Sequence, residues 1–280
     1  MTASAHGGWA ARLELAVFNA VTVRNAPPPS DADDAHEAAF LRGLGSAHQF
    51  LGRFPAGLRV PDQSVLDVGC GSGAMCVELA QRGAAHVVGV DIQPLGWARE
   101  NLDRRYPHLS GRVELISTDG SLRELSDERF DLVISKDSFE HYRDPEAFVA
   151  VMAGLVAPGG RLAIGFGPLW MGPTGGHIGY MTRLPWAHLI FHESVIMDVR
   201  RRFRPDEPAQ RFEDVRGGLN RMTLSRFRRI MQQSGLHERY FATNVSDNPV
   251  VRAMNLVSRI GPLREYFTAN VYGVWDCAGE

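Results

Sequence analysis

Val65-Leu66-Asp67-Val68-Gly69-Cys70-Gly71-Ser72-Gly73 is the stretch that decides the fold. An apolar run of strand composition enters three alternating glycines and leaves into a helical pattern from Ala74 onward. The next strand, Val87-Val88-Gly89-Val90, closes on Asp91. This is the opening of a nucleotide-binding βαβ unit: the glycines let the backbone turn sharply and approach a ligand closely. The carboxylate of Asp91, about 20 residues after the loop, is placed to accept from ribose hydroxyls.

Outward from this stretch the chain alternates between strand and helix. Strands are expected at Ser64 to Val68, Val87 to Asp91, Val113 to Ser117, Phe130 to Ser135 and Arg161 to Phe166. Helices are expected at Ala74 to Arg82, Pro94 to Arg105 and Asp144 to Val156, with Asp144 as N-cap and Pro145 in the first turn. Ala157-Pro158-Gly159-Gly160 reads as the turn into the fifth strand. Alternation stops from Gly167 to about Gly218, a proline-rich stretch with the arginine run Arg200 to Arg204, expected to be an insertion over the active site. It resumes with a helix from Met222, a strand from Leu236 to Val245 and a last strand from Thr268 to Trp275. Before the core, Trp9 to Arg24 and Ala35 to Phe54 have helical periodicity, joined by a linker at Asn25 to Ser30, with Asp31 to Asp34 offering caps.

Composition bounds the function. With 280 residues, 44% hydrophobic content and a formal charge of −2, the chain suits one α/β domain with additions. The charge disfavours general nucleic-acid affinity. No stretch approaches the roughly 18 apolar residues that span a bilayer. Cys70, Cys76 and Cys277 offer neither a disulfide framework nor metal spacing, which points to a reducing cytoplasm. Lys136 is the only lysine.

The glycine loop alone admits two ligands, because Gly69-x-Gly71-x-x-Ala74 also satisfies a dinucleotide fingerprint. Asp67 before the first glycine, the third glycine at Gly73, Asp119-Gly120 after the third strand and Ala157 to Gly160 shift the balance. Together they resemble the class I S-adenosylmethionine-dependent methyltransferases, specifically the small-molecule group that includes the ubiquinone and menaquinone enzymes. The resemblance covers roughly Asp62 to Gly167 and Met222 onward.

It implies a doubly wound, mostly parallel seven-stranded Rossmann-like sheet. It also implies a helical lid over residues 1–60, a core of 61–166 and 222–280, and a cap of 167–221. The cofactor would be S-adenosylmethionine. Asp67 and the backbone of Gly69, Cys70, Gly71 and Gly73 would hold its methionine end, and Asp91 the ribose. Ile92, Asp119 and Gly120 would hold the adenine, with Lys136 at the end of the fourth strand lining the methyl donor.

Methyl transfer to a hydroxyl needs a base, since a phenol with pKa about 10 is a poor nucleophile at neutral pH. His141, in Asp137-Ser138-Phe139-Glu140-His141, and His177, between Gly175-Gly176 and Ile178-Gly179, are the candidates. In ubiquinone-type enzymes an acid-x-x-acid-His pattern like 137–141 is a divalent-cation site; here no metal is expected. His188, His192 and Glu193 are read as packing and capping residues. Phe166, Trp170, Tyr180, Trp186 and Phe191 suggest an apolar or aromatic small-molecule acceptor. The open alternatives are a nicotinamide-dependent oxidoreductase and a catalytically degenerate binding module.

Overall fold

A computed structural model describes residues 9–23, 32–54 and 58–279, with side chains in the second segment from residue 36 onward. The expected linker at Asn25 to Ser30 and the cap candidates at Asp31 to Asp34 lie outside what is described.

Seven strands form one sheet: β1 (Ser64–Val68), β2 (His86–Asp91), β3 (Val113–Ser117), β4 (Phe130–Lys136), β5 (Val156–Phe166), β6 (His237–Thr243) and β7 (Val271–Asp276). Their order is β3-β2-β1-β4-β5-β7-β6, parallel except for β7, which runs antiparallel to both of its neighbours. The order reverses between β1 and β4. At such a switch point an open α/β sheet leaves a crevice at the carboxyl ends of its strands, where ligands bind. The glycine loop after β1 stands there.

Alternation along the strands sorts side chains into two cores. Val65, Val87, Leu132 and Ile134 pack on one face under α2 (Ala32–Gly52), α3 (Ala74–Gln81) and α4 (Gly96–Arg105). Leu66, Val88, Val133 and Ile164 pack on the other with α5 (Pro145–Leu155) and α8 (Leu224–Gln232). Burying each such side chain contributes about 1.5–3 kcal/mol. Asp144 caps α5 by accepting from Ala147 N–H at 3.0 Å, as its position before Pro145 predicts.

Ala157 to Gly160 do not precede β5; they form a bulge inside it. Phe130 pairs with Val156 and Leu132 with Arg161, so the intervening residues loop out, with Gly159 at φ 74°. The segment between β6 and β7, unread in the sequence, holds α9 (Pro249–Val257), capped by Asn248.

The two N-terminal helices pack on different bodies. Within α2, Phe40, Ala47, Phe50 and Leu51 are buried in the sheet core. By contrast, α1 (Trp9–Val21) docks on the 167–221 segment. Phe18 meets Phe191 at 4.6 Å, and Thr22 forms an isolated bridge with Thr182. That segment contains α6 (Ala187–Ile190) and α7 (Glu193–Arg200) and has its own apolar cluster, built on Ile178, Met181, Ile196 and Phe212.

Candidate functional site: the glycine loop and the cavity beneath the cap

The loop after β1 is fixed from both sides. Gly69 and Cys70 N–H both donate to Val90 O on β2, at 2.8 and 3.0 Å. Gly69 has φ 80°, and a Cβ there would fall 2.3 Å from Ser138 Oγ, so no other residue fits without displacing the β4 turn. Ser138 Oγ donates toward Gly69 O at 3.2 Å, tying that turn to the loop. The Cys70 side chain is buried against Cys76, so Cys70 offers a ligand only its backbone.

Asp91 ends β2 with both carboxylate oxygens oriented by backbone donors. Gly71 N–H donates to Oδ2 and Gln93 N–H to Oδ1, each at 2.9 Å. A carboxylate accepts about four hydrogen bonds, so two acceptor sites remain for a vicinal diol. Ile92, next along, is 66% exposed, and its Cγ2 would lie 3.2 Å from a Cβ on Gly120. Beside this apolar slot, Asp119 is exposed and held below the usual carboxylate range by hydrogen bonds from Ser121. The slot is a shallow exposed face and not a gap, because Ile92 and Gly120 are in contact; a flat heterocycle would lie on it with an amino edge toward Asp119. The residues present therefore suit an adenosine, and Gly71, with no atom within 4 Å of a Cβ position, leaves room beside the loop.

Asp67 lies beneath the loop, fully buried and accepting from Cys76 Sγ at 3.5 Å. Burial pushes its pKa up to about 7, and Lys136 nearby only partly opposes this. A ligand cation above the loop would favour the ionised form. Lys136 itself pairs with Asp137 at 2.6 Å.

The turn after β4 places the first histidine. Phe139–His141 is one turn of 3₁₀ helix, clamped by Asn220, whose Nδ2 donates to Phe139 O and Tyr142 O. The three side chains of the 137–141 pattern diverge. Asp137 pairs with Lys136, and Glu140 is buried with its pKa raised to about 8 by desolvation. His141 Nδ1 donates to Gly218 O at 2.5 Å. Among the described residues no group of three or more His, Cys, Asp or Glu stands where it would hold a metal.

His177 meets His141 edge-to-face, ring centroids 5.5 Å apart. Its φ of 53° is unusual for a non-glycine residue, and such strain concentrates at functional sites. Burial and the neighbouring His141 lower its pKa to about 4, so the imidazole is neutral at physiological pH. Its Nε2 is buried and has no hydrogen-bond partner. The glycines before it do not make a flexible loop as the sequence suggests. A Cβ on Gly175 would fall 2.1 Å from Trp170 O, and one on Gly176 2.5 Å from His188 Cβ. They are small because the backbone there is packed tightly.

A cavity of about 210 Å³ opens beside the two histidines, lined among others by Tyr180, Arg200, Arg204, Glu207 and Phe212. Of the five rings expected at the acceptor, Tyr180 alone lines it. Phe166 is fully buried in the sheet core and Phe191 packs in the cap cluster. Trp170 is stacked among His188, Phe212 and Arg221, and Trp186 lies against Phe267. The aromatic-acceptor expectation loses its support, because these rings are the cap's own packing. His188 donates to Trp170 O, His192 caps α7, and Glu193 accepts from Phe212 N–H and Arg221. Asn220 and Arg221, which fasten the cap, carry no signal in the sequence: Asn220 reaches Phe139, 81 residues away, and Arg221 reaches Glu193, 28 residues away, as well as Glu213.

Residues 66–164 match the methyltransferase domain family. The chain is 30% identical over 133 residues to the chloroplastic tocopherol O-methyltransferase of Arabidopsis thaliana, covering 48% of this chain and 38% of that protein. It is 34% identical over 152 residues to the ubiquinone biosynthesis O-methyltransferase of Alkalilimnicola ehrlichii, covering 53% of this chain and 57% of that protein. Thus it spans less than two thirds of the length of either relative. Among solved structures, magnesium protoporphyrin IX methyltransferase from Synechocystis PCC 6803 with bound S-adenosylmethionine aligns with a TM-score of 0.50. It is 15% identical and covers 90% of this chain and 86% of that one. Residues 66–164 are thus similar to the methyltransferase domain family, and the sheet that carries the glycine loop and Asp91 has the seven-stranded fold of the class I S-adenosylmethionine-dependent methyltransferases.

Proposed function

We propose that the chain transfers a methyl group from S-adenosylmethionine to a small-molecule acceptor, with an oxygen acceptor favoured and His177 as base. The observation that carries the reading is Asp91, whose two oxygens are each fixed by a backbone N–H with acceptor capacity left over, beside the exposed Ile92–Gly120 slot. The relatives' names support oxygen as the acceptor atom.

S-adenosylmethionine supplies an electrophilic methyl on a sulfonium. The chain's residues bind, orient and deprotonate. Asp91 would hold the ribose, Ile92, Asp119 and Gly120 the adenine, and the Gly69–Gly73 loop with Asp67 the methionine end. Lys136 stands at the end of β4, where Ser138 joins that strand to the loop. Holding donor and acceptor in line is an entropic contribution of several kcal/mol. His177 lines the cavity with an unpartnered Nε2 and would take the acceptor's proton; its lowered pKa keeps it neutral while making it a weak base. His141, fixed by Gly218 O, would keep the ring of His177 in place. The cap of 167–221 and α1 would form the wall that excludes water.

The test is label transfer from methyl-labelled S-adenosylmethionine into a small-molecule extract. Incorporation is expected with the wild type, none with Asp91→Ala, and at least about ten-fold less with His177→Ala, at or below the lower end of general-base effects because the ring is weakly basic. Label found only in protein or nucleic acid would contradict the reading.

A further inference from the structure

The arginine run 200–204 is only in part a solvated face: Arg201 and Arg202 are exposed, whereas Arg200 and Arg204 turn inward. Arg200 is buried on α7 and bonds Glu207 twice, through its carboxylate and, at 3.0 Å, through its carbonyl. One helical turn later, Arg204 lies 4.6 Å over the ring of Tyr180. Among the described residues its guanidinium donates to its neighbour's carbonyl, Phe203 O. Arg216 reaches only Gln93 Oε1, at 3.5 Å. All three arginines line the cavity that holds His141 and His177, together with a single carboxylate, Glu207. Arg200 and Glu207 neutralise each other, so the lining keeps two positive charges. Among the described residues neither Arg204 nor Arg216 has a carboxylate within 4 Å.

We propose that this cavity binds an acceptor bearing an anionic group, a carboxylate or a phosphate, with Arg204 and Arg216 as its counter-charges. This deepens the methyl-transfer reading and rests on it. Guanidinium forks match carboxylate and phosphate oxygens in geometry as well as charge. The Arg200–Glu207 pair acts differently, fixing the end of α7 and so presenting Arg204 from the cap. His141 stands on the turn after β4 and His177 meets it from the cap, so the atom to be methylated sits at the histidine end of the cavity and the anionic group at the arginine end. At about 210 Å³ the cavity is smaller than the ~300 Å³ at which drug-sized sites begin, so the acceptor is small.

The test uses full-length protein saturated with S-adenosylhomocysteine and titrated with small hydroxylated carboxylates and phosphates, both aliphatic and aromatic, and their uncharged ester or amide counterparts. The charged members are expected to bind at least ten-fold tighter than the uncharged ones. Carboxylate-only or phosphate-only binding identifies the group. That preference should fall at least five-fold in Arg204→Gln and vanish in Arg204→Glu, while S-adenosylhomocysteine affinity and the melting temperature hold. Equal or better binding of the uncharged counterparts, no binding by any charged member, or an intact preference in Arg204→Glu would overturn the proposal. Failure of the wild type to bind S-adenosylhomocysteine would instead remove the methyltransferase reading beneath it.

Discussion

The loop Gly69–Gly73 and the cap 167–221 are both tied to the turn after β4 but are built on opposite principles. The loop is shaped mainly by backbone and by the next strand, Val90 O and Asp91 Oδ2, with Ser138 Oγ as a long-range side-chain tie. The cap is held by side chains from distant places. Arg221 grips Glu193, Asn220 clamps the 139–142 turn, and Phe18 arrives from α1. The difference separates two kinds of recognition. A cofactor common to a family is met by backbone geometry, whereas an acceptor particular to one chain is met by side chains that can vary.

If that division is right, core substitutions should abolish cofactor binding and cap substitutions should spare it. Gly69→Ala has the largest expected effect. Its φ of 80° and the clash with Ser138 should weaken S-adenosylmethionine binding by at least about 100-fold, or roughly 2.7 kcal/mol. Wild-type affinity, measured by calorimetry, would break the account of the loop.

Asp67 comes next. Its pKa in the folded chain is raised from 3.8 to about 7 by burial. The folded state therefore favours the protonated acid, and stability is lost as pH rises from about 4 through 7. Asp67→Asn should remove that slope and stabilise the unliganded protein at pH 8 by up to ~4 kcal/mol, the free-energy equivalent of the shift. Cofactor affinity should fall at the same time. Unchanged melting curves between pH 4 and 8 in both proteins would show that Asp67 does not titrate in that window.

His177 should cost about ten- to a hundred-fold in turnover as His177→Ala, with cofactor affinity within two-fold. Its pKa is depressed, so the neutral base persists as pH falls. The acid limb of kcat/KM should lie near 4 and not near 6.5. A limb at 6.5 that survives in His177→Ala would assign the base elsewhere. The smallest effect belongs to the exposed pair Arg226–Glu146 joining α8 to α5, where Arg226→Ala should change stability by under about 1 kcal/mol in chemical denaturation.

The same division explains what the sequence reveals. Val65 to Gly73 and Asp91 are legible because strand alternation and glycine spacing are local properties. So is the Asp144–Pro145 helix start. The interior of the cap is not, because Tyr180, Arg204 and His177 meet only through folding, and nothing near Arg200 marks Glu207 as its partner. Aromatic content misleads for a related reason: Trp170 and Phe191 suggest a pocket lining when they are packing, a distinction that burial alone draws. Gly175 and Gly176 mislead likewise, since a small residue serves close approach as well as mobility. The 137–141 pattern has metal-like spacing, but a 3₁₀ turn and the burial of Glu140 send its side chains apart.

The most direct test of the central claim is calorimetric titration of the purified protein with S-adenosylmethionine and, separately, NADH, repeated with Asp91→Ala. The account predicts S-adenosylmethionine binding that is lost in the mutant and no binding of NADH. Binding of NADH alone, or S-adenosylmethionine binding that survives the loss of Asp91, would contradict it.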